Sequence, residues 1–175
     1  MNITEQVVDS SFNAIINAPI EKINLPEWAF NLSEPEYQGC SPAHVSAATT
    51  VGADGRRMSI NVEVIGGVTM VQHYQEEVSE PQHLVLGSFS DLFSPTGRTV
   101  YYVRWELSVK AINDTQCEFT NRVITFATED MLHGLERQGI PFDVFKAQRQ
   151  PVSIDHNRRE TPFFAASIER AALNG

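Results

Sequence analysis

The residues best suited to metal binding or nucleophilic catalysis are scattered along the chain. The five histidines are His44, His73, His83, His133 and His156. No two of them have the spacing of a zinc motif such as HExxH. Cys40 and Cys117 have neither metal-ligand spacing nor the pattern of a disulfide framework. Because a GxSxG elbow and a phosphate-binding glycine loop are also missing, the sequence predicts no metal and no cofactor and assigns no catalytic residue.

Tyr74 and Glu76 are the polar residues whose placement could serve a small-molecule site. In a strand they share a face with Met70, because side chains alternate between the two faces. If that face lines a cavity, Tyr74 could position a ligand hydroxyl or carbonyl and Glu76 could act as a general base. The alternative is a strand end that turns polar where it meets solvent. The sequence leaves both interpretations open.

Six strand-like segments between Ala43 and Ala127 would have to position these side chains. The clearest alternation has an apolar face and a polar face, formed by Tyr101, Val103, Trp105, Leu107 and Val109 and by Tyr102, Arg104, Glu106 and Ser108. A second segment places Met58, Ile60, Val62 and Val64 on one face and Ser59, Asn61 and Glu63 on the other. Short turns join the segments, so the pattern predicts an antiparallel meander.

The segments before the meander predict one strand and two short helices. Alternation over Phe12–Ile16 indicates a strand that Pro19 ends. The helix that follows is expected to bend at Pro26. Ser33 has the residue type and position of an N-cap for a second short helix.

The segments after the meander predict helices that prolines interrupt. Residues 129–138 favour a short helix, and Pro141 and Pro151 make a continuous helix after it doubtful. A firmer helix is expected from Thr161, as N-cap, with Phe164 and Ile168 on its apolar stripe. This C-terminal helix is expected to form part of the core, so that removing residues 161–175 would abolish cooperative folding.

The segment INAPIEKI, Ile16–Ile23, and the order of the predicted elements resemble the START/Bet v 1-like superfamily, which includes polyketide cyclase/dehydrase-like proteins. The resemblance implies one α+β domain over residues 1–175 with the helix-grip fold. In that fold a curved antiparallel sheet of about seven strands wraps around a C-terminal helix, and two short helices follow strand 1. It also implies a cavity between sheet and helix, where many relatives bind lipids, sterols or polyketides. Catalytic residues are not shared across the superfamily, so none is transferred.

Composition limits the partners of such a domain. The 175 residues include 42% hydrophobic ones, enough for a core, and the net charge is -9. An acidic surface repels phosphate groups, which argues against nucleic acid. No apolar run approaches the roughly 20 residues of a membrane span, and the N-terminus lacks the features of a signal peptide. We expect a cytoplasmic protein that does not insert into membranes; the sequence does not determine its oligomeric state.

Six large side chains are expected to meet in the cavity and contact a ligand: Trp28, Met70, Tyr74, Trp105, Phe119 and Phe164. They could equally fill the space, because cores and pockets have similar compositions. The first hypothesis is therefore binding of a small apolar molecule that resembles a lipid, polyketide or aromatic compound. The alternative is a cyclase or dehydratase acting on an apolar substrate in the same cavity, and the third is a protein-interaction domain with a filled cavity.

Overall fold

One antiparallel sheet of seven strands forms the frame of the molecule, with strand order β1-β7-β6-β5-β4-β3-β2. The computed structural model describes residues 2–174. The strands are β1 (Ile3–Ile16), β2 (His44–Val51), β3 (Arg57–Ile65), β4 (Val68–Glu80), β5 (His83–Ser94), β6 (Gly97–Asn113) and β7 (Gln116–Thr128). The helices are α1 (Leu25–Asn31), α2 (Glu34–Cys40), α3 (Glu129–Arg137) and α4 (Phe142–Asn174), and a 3₁₀ turn spans Ile20–Lys22. This order of elements confirms the predicted helix-grip fold.

Helix α4 covers the inner face of the sheet and supplies the centre of the core. Phe164, Ala165 and Ile168 are each at most 2% exposed. The helix packs chiefly against β1 and also touches β7 and β3. A sheet with one apolar face needs such a cover. Within residues 2–174, no helix is both long enough and apolar enough to span a bilayer.

The continuity of α4 differs from the prediction. Pro151 and Pro162 lie inside one helix of 33 residues, and Thr161 is not an N-cap. The Thr161 hydroxyl instead donates to the carbonyl of Asn157, 2.6 Å away, in the preceding turn. Both prolines are exposed. Proline has no backbone N–H, so the carbonyl four residues before each proline lacks its helical hydrogen bond. These carbonyls lie on the same exposed side of the helix as the prolines, where water can donate to them.

The prolines near the N-terminus start helices. Pro26 occupies the first turn of α1, and the Asn24 side chain caps that helix by accepting from the amide of Glu27. The predicted bend at Pro26 is therefore wrong. The 3₁₀ turn ends at Lys22, and Pro26 belongs to the first turn of a separate helix. Ser33 caps α2 as expected, accepting from the amide of Glu36 at 3.4 Å. These helices lead the chain from β1 to the opposite edge of the sheet.

Strand β3 turns its polar face toward the interior. Ser59, Asn61 and Glu63 are buried, whereas Val64 on the opposite face is 43% exposed. Polar groups are buried at a cost unless they find partners. Strand β3 therefore brings hydrogen-bonding groups beneath α4.

Adjacent phenylalanines of α4 allow a matched test of its role in the core. Phe164 is 1% exposed and Phe163 is 54% exposed. We expect Phe164→Ala to lower the free energy of unfolding by about 3–5 kcal/mol, because it removes a large buried ring. Phe163→Ala should change it by no more than about 0.5 kcal/mol. Urea denaturation of both variants measures the difference, and equal losses would contradict the described burial.

Candidate functional site

A small cavity lies between the inner face of the sheet and α4. Its free volume is about 40 Å³, room for a few water molecules, since roughly 10–15 Å³ of such space suffices for one. Four large apolar or aromatic residues line it, namely Met70, Tyr74, Trp105 and Phe164. The polar lining residues include Glu63, Gln72, Arg149, His156 and Glu160. The cavity therefore suits a molecule with both apolar and polar parts.

Four of the six residues predicted to contact a ligand line this cavity, namely Met70, Tyr74, Trp105 and Phe164. Trp28 lies beyond Phe164, packs edge-on against that ring, and donates its indole N–H to Ser167 at 2.8 Å. Phe119 is fully buried elsewhere in the core. The indole N–H of Trp105 is held by Asn121 Oδ1 at 2.8 Å. Trp105 therefore offers the cavity its ring surface, while its N–H is already used.

Two histidines and two glutamates form a cluster of buried and half-buried titratable groups beside the cavity. His44 begins β2, Glu63 lies on β3, and His156 and Glu160 lie one turn apart on α4. The Oε2 atom of Glu160 is 3.1 Å from the Nε2 atoms of both histidines. The carboxylate of Glu63 is 3.8 Å from each of the same two nitrogens. All four side chains thus converge on one point.

Neighbouring groups fix the orientation of the cluster. His44 Nδ1 lies 2.7 Å from the carbonyl oxygen of Tyr37. A carbonyl only accepts, so Nδ1 carries a proton and donates it there. The Tyr37 hydroxyl donates to Glu63 Oε1, and Gln72 donates to Glu63 Oε2 at 3.3 Å. Asn121 donates to the remaining oxygen of Glu160 at 3.3 Å. Every oxygen of the two carboxylates therefore has a partner.

The pKa shifts of His156 and Glu160 favour the charged forms of these two groups despite burial. Burial alone would lower the pKa of His156, but the carboxylates of Glu160 and Glu63 outweigh it and raise this pKa to about 9. Burial alone would raise the pKa of Glu160, but His156 and His44 lower it below its ordinary value of 4.5. Burial and the adjacent Glu63 raise the pKa of Tyr37. Tyr37 therefore stays protonated as a donor to Glu63.

This cluster was not predicted from the sequence. Ligand atoms of His44, Glu63 and His156 lie within 4.8 Å of one another, an arrangement that could hold a metal ion. Local sequence spacing gives no sign of such a site, because these residues come from distant parts of the chain. One available signal was the polar face of β3, which carries Glu63. The three other histidines lie outside the cluster; His133 is exposed on α3.

Three buried polar atoms of the cavity wall have no hydrogen-bond partner among residues 2–174. They are Gln72 Oε1, Thr125 Oγ1 and Arg149 Nη2. A buried polar atom without a partner costs about 1–3 kcal/mol. Glu76, the possible general base, is not among the cavity-lining residues and instead binds the main chain and guanidinium of Arg57 at 2.9 and 3.2 Å. The polar atoms of the cavity wall that lack a protein partner therefore belong to Gln72, Thr125 and Arg149.

The cluster predicts a specific dependence of stability on pH. Because folding raises the pKa of His156 from 6.5 to about 9, its contribution is complete below pH 6.5 and disappears as the pH rises through 9. Because folding lowers the pKa of Glu160 from 4.5, that contribution is complete above pH 4.5 and disappears in stronger acid. With EDTA present, we expect the free energy of unfolding to fall by roughly 2–3 kcal/mol between pH 6.5 and 9.

His156→Gln should abolish most of this alkaline loss, whereas His133→Gln should retain it. Urea denaturation at a series of pH values measures all three proteins. An identical alkaline decline in wild type and His156→Gln would show that another group causes it.

Solved structures of other proteins share this fold, although no family model matches the sequence and no curated protein is significantly similar to it. The Zhui aromatase/cyclase from Streptomyces sp. R1128 aligns over 95% of this chain and 91% of its own, with 9% identity and a TM-score of 0.61. A protein from Thermus thermophilus aligns over 95% and 97%, with 15% identity and a TM-score of 0.54. Ara h 8.0201 aligns over 95% and 98%, with 14% identity and a TM-score of 0.50. The chain has the helix-grip fold of the START and Bet v 1-like proteins.

Proposed function

We propose that the protein binds a small molecule in the cavity, with an apolar body and one polar end. The observation that carries this proposal is the grouping of three unpartnered polar atoms, among the described residues, in the wall of one cavity. Buried polar groups in folded proteins are nearly always satisfied, and those that are not call for an explanation. A ligand that pairs with them would recover the free energy lost on burying them.

The chemistry of the three atoms defines the polar end of the ligand. Arg149 Nη2 is a charged donor, the Thr125 hydroxyl can donate or accept, and Gln72 Oε1 accepts. A carboxylate, phenolate or enolate oxygen would suit Arg149, and a neighbouring hydroxyl would suit Gln72. The body of the ligand would lie against Tyr74, Trp105 and Phe164, whose rings are 5.4–5.6 Å apart around Trp105.

Arg149 lies in the walls of two neighbouring cavities. Ligand pockets usually measure about 300–1,000 Å³, far more than the 40 Å³ found here. A second cavity of about 110 Å³ lies beneath α3 and shares Arg149 with the first. Arg149 is anchored by Nη1, which donates to the carbonyl of Ile65 at 3.3 Å. Release of this bond would let the side chain swing and join the two cavities, so entry of a ligand would be coupled to movement of Arg149.

A cyclase or dehydratase activity in the same cavity is the second candidate. It is favoured by the unpartnered donors, because donors held ready for a developing negative charge are how enzymes stabilise oxyanions. The likeness in fold to an aromatase/cyclase agrees with this candidate. The third hypothesis, a filled interaction domain, explains the aromatic packing and leaves the unpartnered atoms without a role.

Tryptophan emission should report binding in the cavity. We expect the anionic dye anilinonaphthalene sulfonate and neutral phenylnaphthylamine to change the emission saturably. Trp105→Phe should remove most of the change because Trp105 lines the cavity, whereas Trp28→Phe should retain it because Trp28 does not. Saturable binding that Trp105→Phe leaves intact would place the ligand elsewhere.

Replacing the guanidinium tests the polar end separately. Arg149→Met should weaken binding of the anionic dye by about tenfold or more, since a charge-assisted hydrogen bond contributes about 1.5–3 kcal/mol. Binding of the neutral dye should change little. Arg158→Met, on the exposed side of the same helix, is the matched control and should affect neither dye. Equal effects of Arg149→Met on both dyes would contradict the assigned role.

A further inference from the structure

We propose that His44, Glu63, His156 and Glu160 bind one divalent transition-metal ion. Two histidine nitrogens and three carboxylate oxygens face one another there. Glu160 Oε2 lies 3.1 Å from each histidine Nε2 atom, Glu63 Oε1 lies 3.8 Å from His44 Nε2, and Glu63 Oε2 lies 3.8 Å from His156 Nε2. Ligands about 2.0–2.2 Å from a tetrahedral zinc ion are about 3.3–3.6 Å from one another. The separations bracket that range, so small side-chain adjustments would allow coordination.

The groups that hydrogen-bond to the cluster side chains are of the kind that orient metal ligands. A metal-bound histidine nearly always donates its other ring N–H to a carbonyl or carboxylate, which orients the ring. The Nδ1 of His44 donates in this way to the carbonyl of Tyr37 at 2.7 Å and leaves Nε2 facing the cluster. Glu63 is held by Tyr37 and Gln72, and Glu160 by Asn121. The carboxylates are therefore oriented by groups outside the cluster.

Charge and burial also favour a cation. The side chains of His44, Glu160 and Glu63 are 0%, 5% and 8% exposed, and that of His156 is 14% exposed. Two buried carboxylates need compensating positive charge. A divalent ion would supply it while both histidines remain neutral ligands. In the metal-free protein, protons on the cluster must supply the same compensation, so metal binding should release protons.

The donor set and its position identify the class of ion. Imidazole favours zinc, iron, copper and nickel, whereas carboxylate suits harder ions. A site with two imidazoles and two carboxylates points to zinc(II) or iron(II). Three of the four residues, Glu63, His156 and Glu160, line the cavity. The inference is independent of the proposed small-molecule function.

Titration of the full-length protein with metal alone tests the site. After treatment with EDTA and removal of the chelator, we expect Zn²⁺ to bind at one ion per chain with Kd below about 1 µM by calorimetry. Co²⁺ should bind at the same site and develop visible absorption bands. Failure of the wild-type protein to bind either ion would overturn the proposal without recourse to variants.

Conservative variants separate this site from surface binding. Glu63→Gln and His156→Gln should weaken Zn²⁺ binding at least about 100-fold, and Tyr37→Phe about tenfold, because it removes a supporting hydrogen bond. His133→Gln and Glu136→Gln, exposed on α3, should bind as wild type does. Circular dichroism of each variant confirms that it is folded.

Affinity unchanged in folded Glu63→Gln and His156→Gln would show adventitious metal binding and would identify the cluster as a purely structural ion-pair network. The dye titrations described above, performed with EDTA, keep the two proposals apart. Metal binding without dye binding would support this inference and contradict the small-molecule proposal. Dye binding without metal binding would support the small-molecule proposal and contradict the metal site.

Discussion

Burial of the Glu63 and Glu160 carboxylates is the constraint on which the inner face of the protein depends. Removing one partner from a buried charged group costs about 3–5 kcal/mol, so each carboxylate requires neighbours. Those neighbours come from four elements: Tyr37 from α2, His44 from β2, Asn121 from β7 and His156 from α4. The cluster therefore ties α2 and α4 to the sheet. The hydrophobic core supplies the driving force for folding, and the cluster limits the arrangements that the packed core can adopt.

The sequence predicted the fold well because its signals are local. Alternation identifies strands, and Ser33 marks a helix start through a cap that lies within a few residues. The continuity of α4 could not be predicted, because Pro151 and Pro162 are tolerated only where their faces are exposed and Phe164 holds the helix to the sheet. Exposure of a given helix face is a property of the folded chain, which a local pattern does not contain.

The charged cluster escaped prediction for a related reason. Alternation in β3 separates Glu63 from Val64 but does not say which of them faces inward, and here the polar face is buried. His44 and His156 become neighbours only when β2 and α4 meet across the interior. Met70, Tyr74, Trp105 and Phe164 were predictable as cavity-lining residues because aromatic strand and helix faces normally turn inward. The polar half of the wall breaks that rule, as functional sites often do.

The proposals above make the inner face of the sheet a binding site and not only a packed core. Native mass spectrometry of the protein, purified gently and without chelators, distinguishes the two. We expect a species heavier than the 19.6 kDa chain by one small organic molecule, one metal ion or both, with the added mass lost on denaturation. The bare chain mass under the same gentle conditions, together with no uptake of added metal or dye, would show that the inner face is only a packed core.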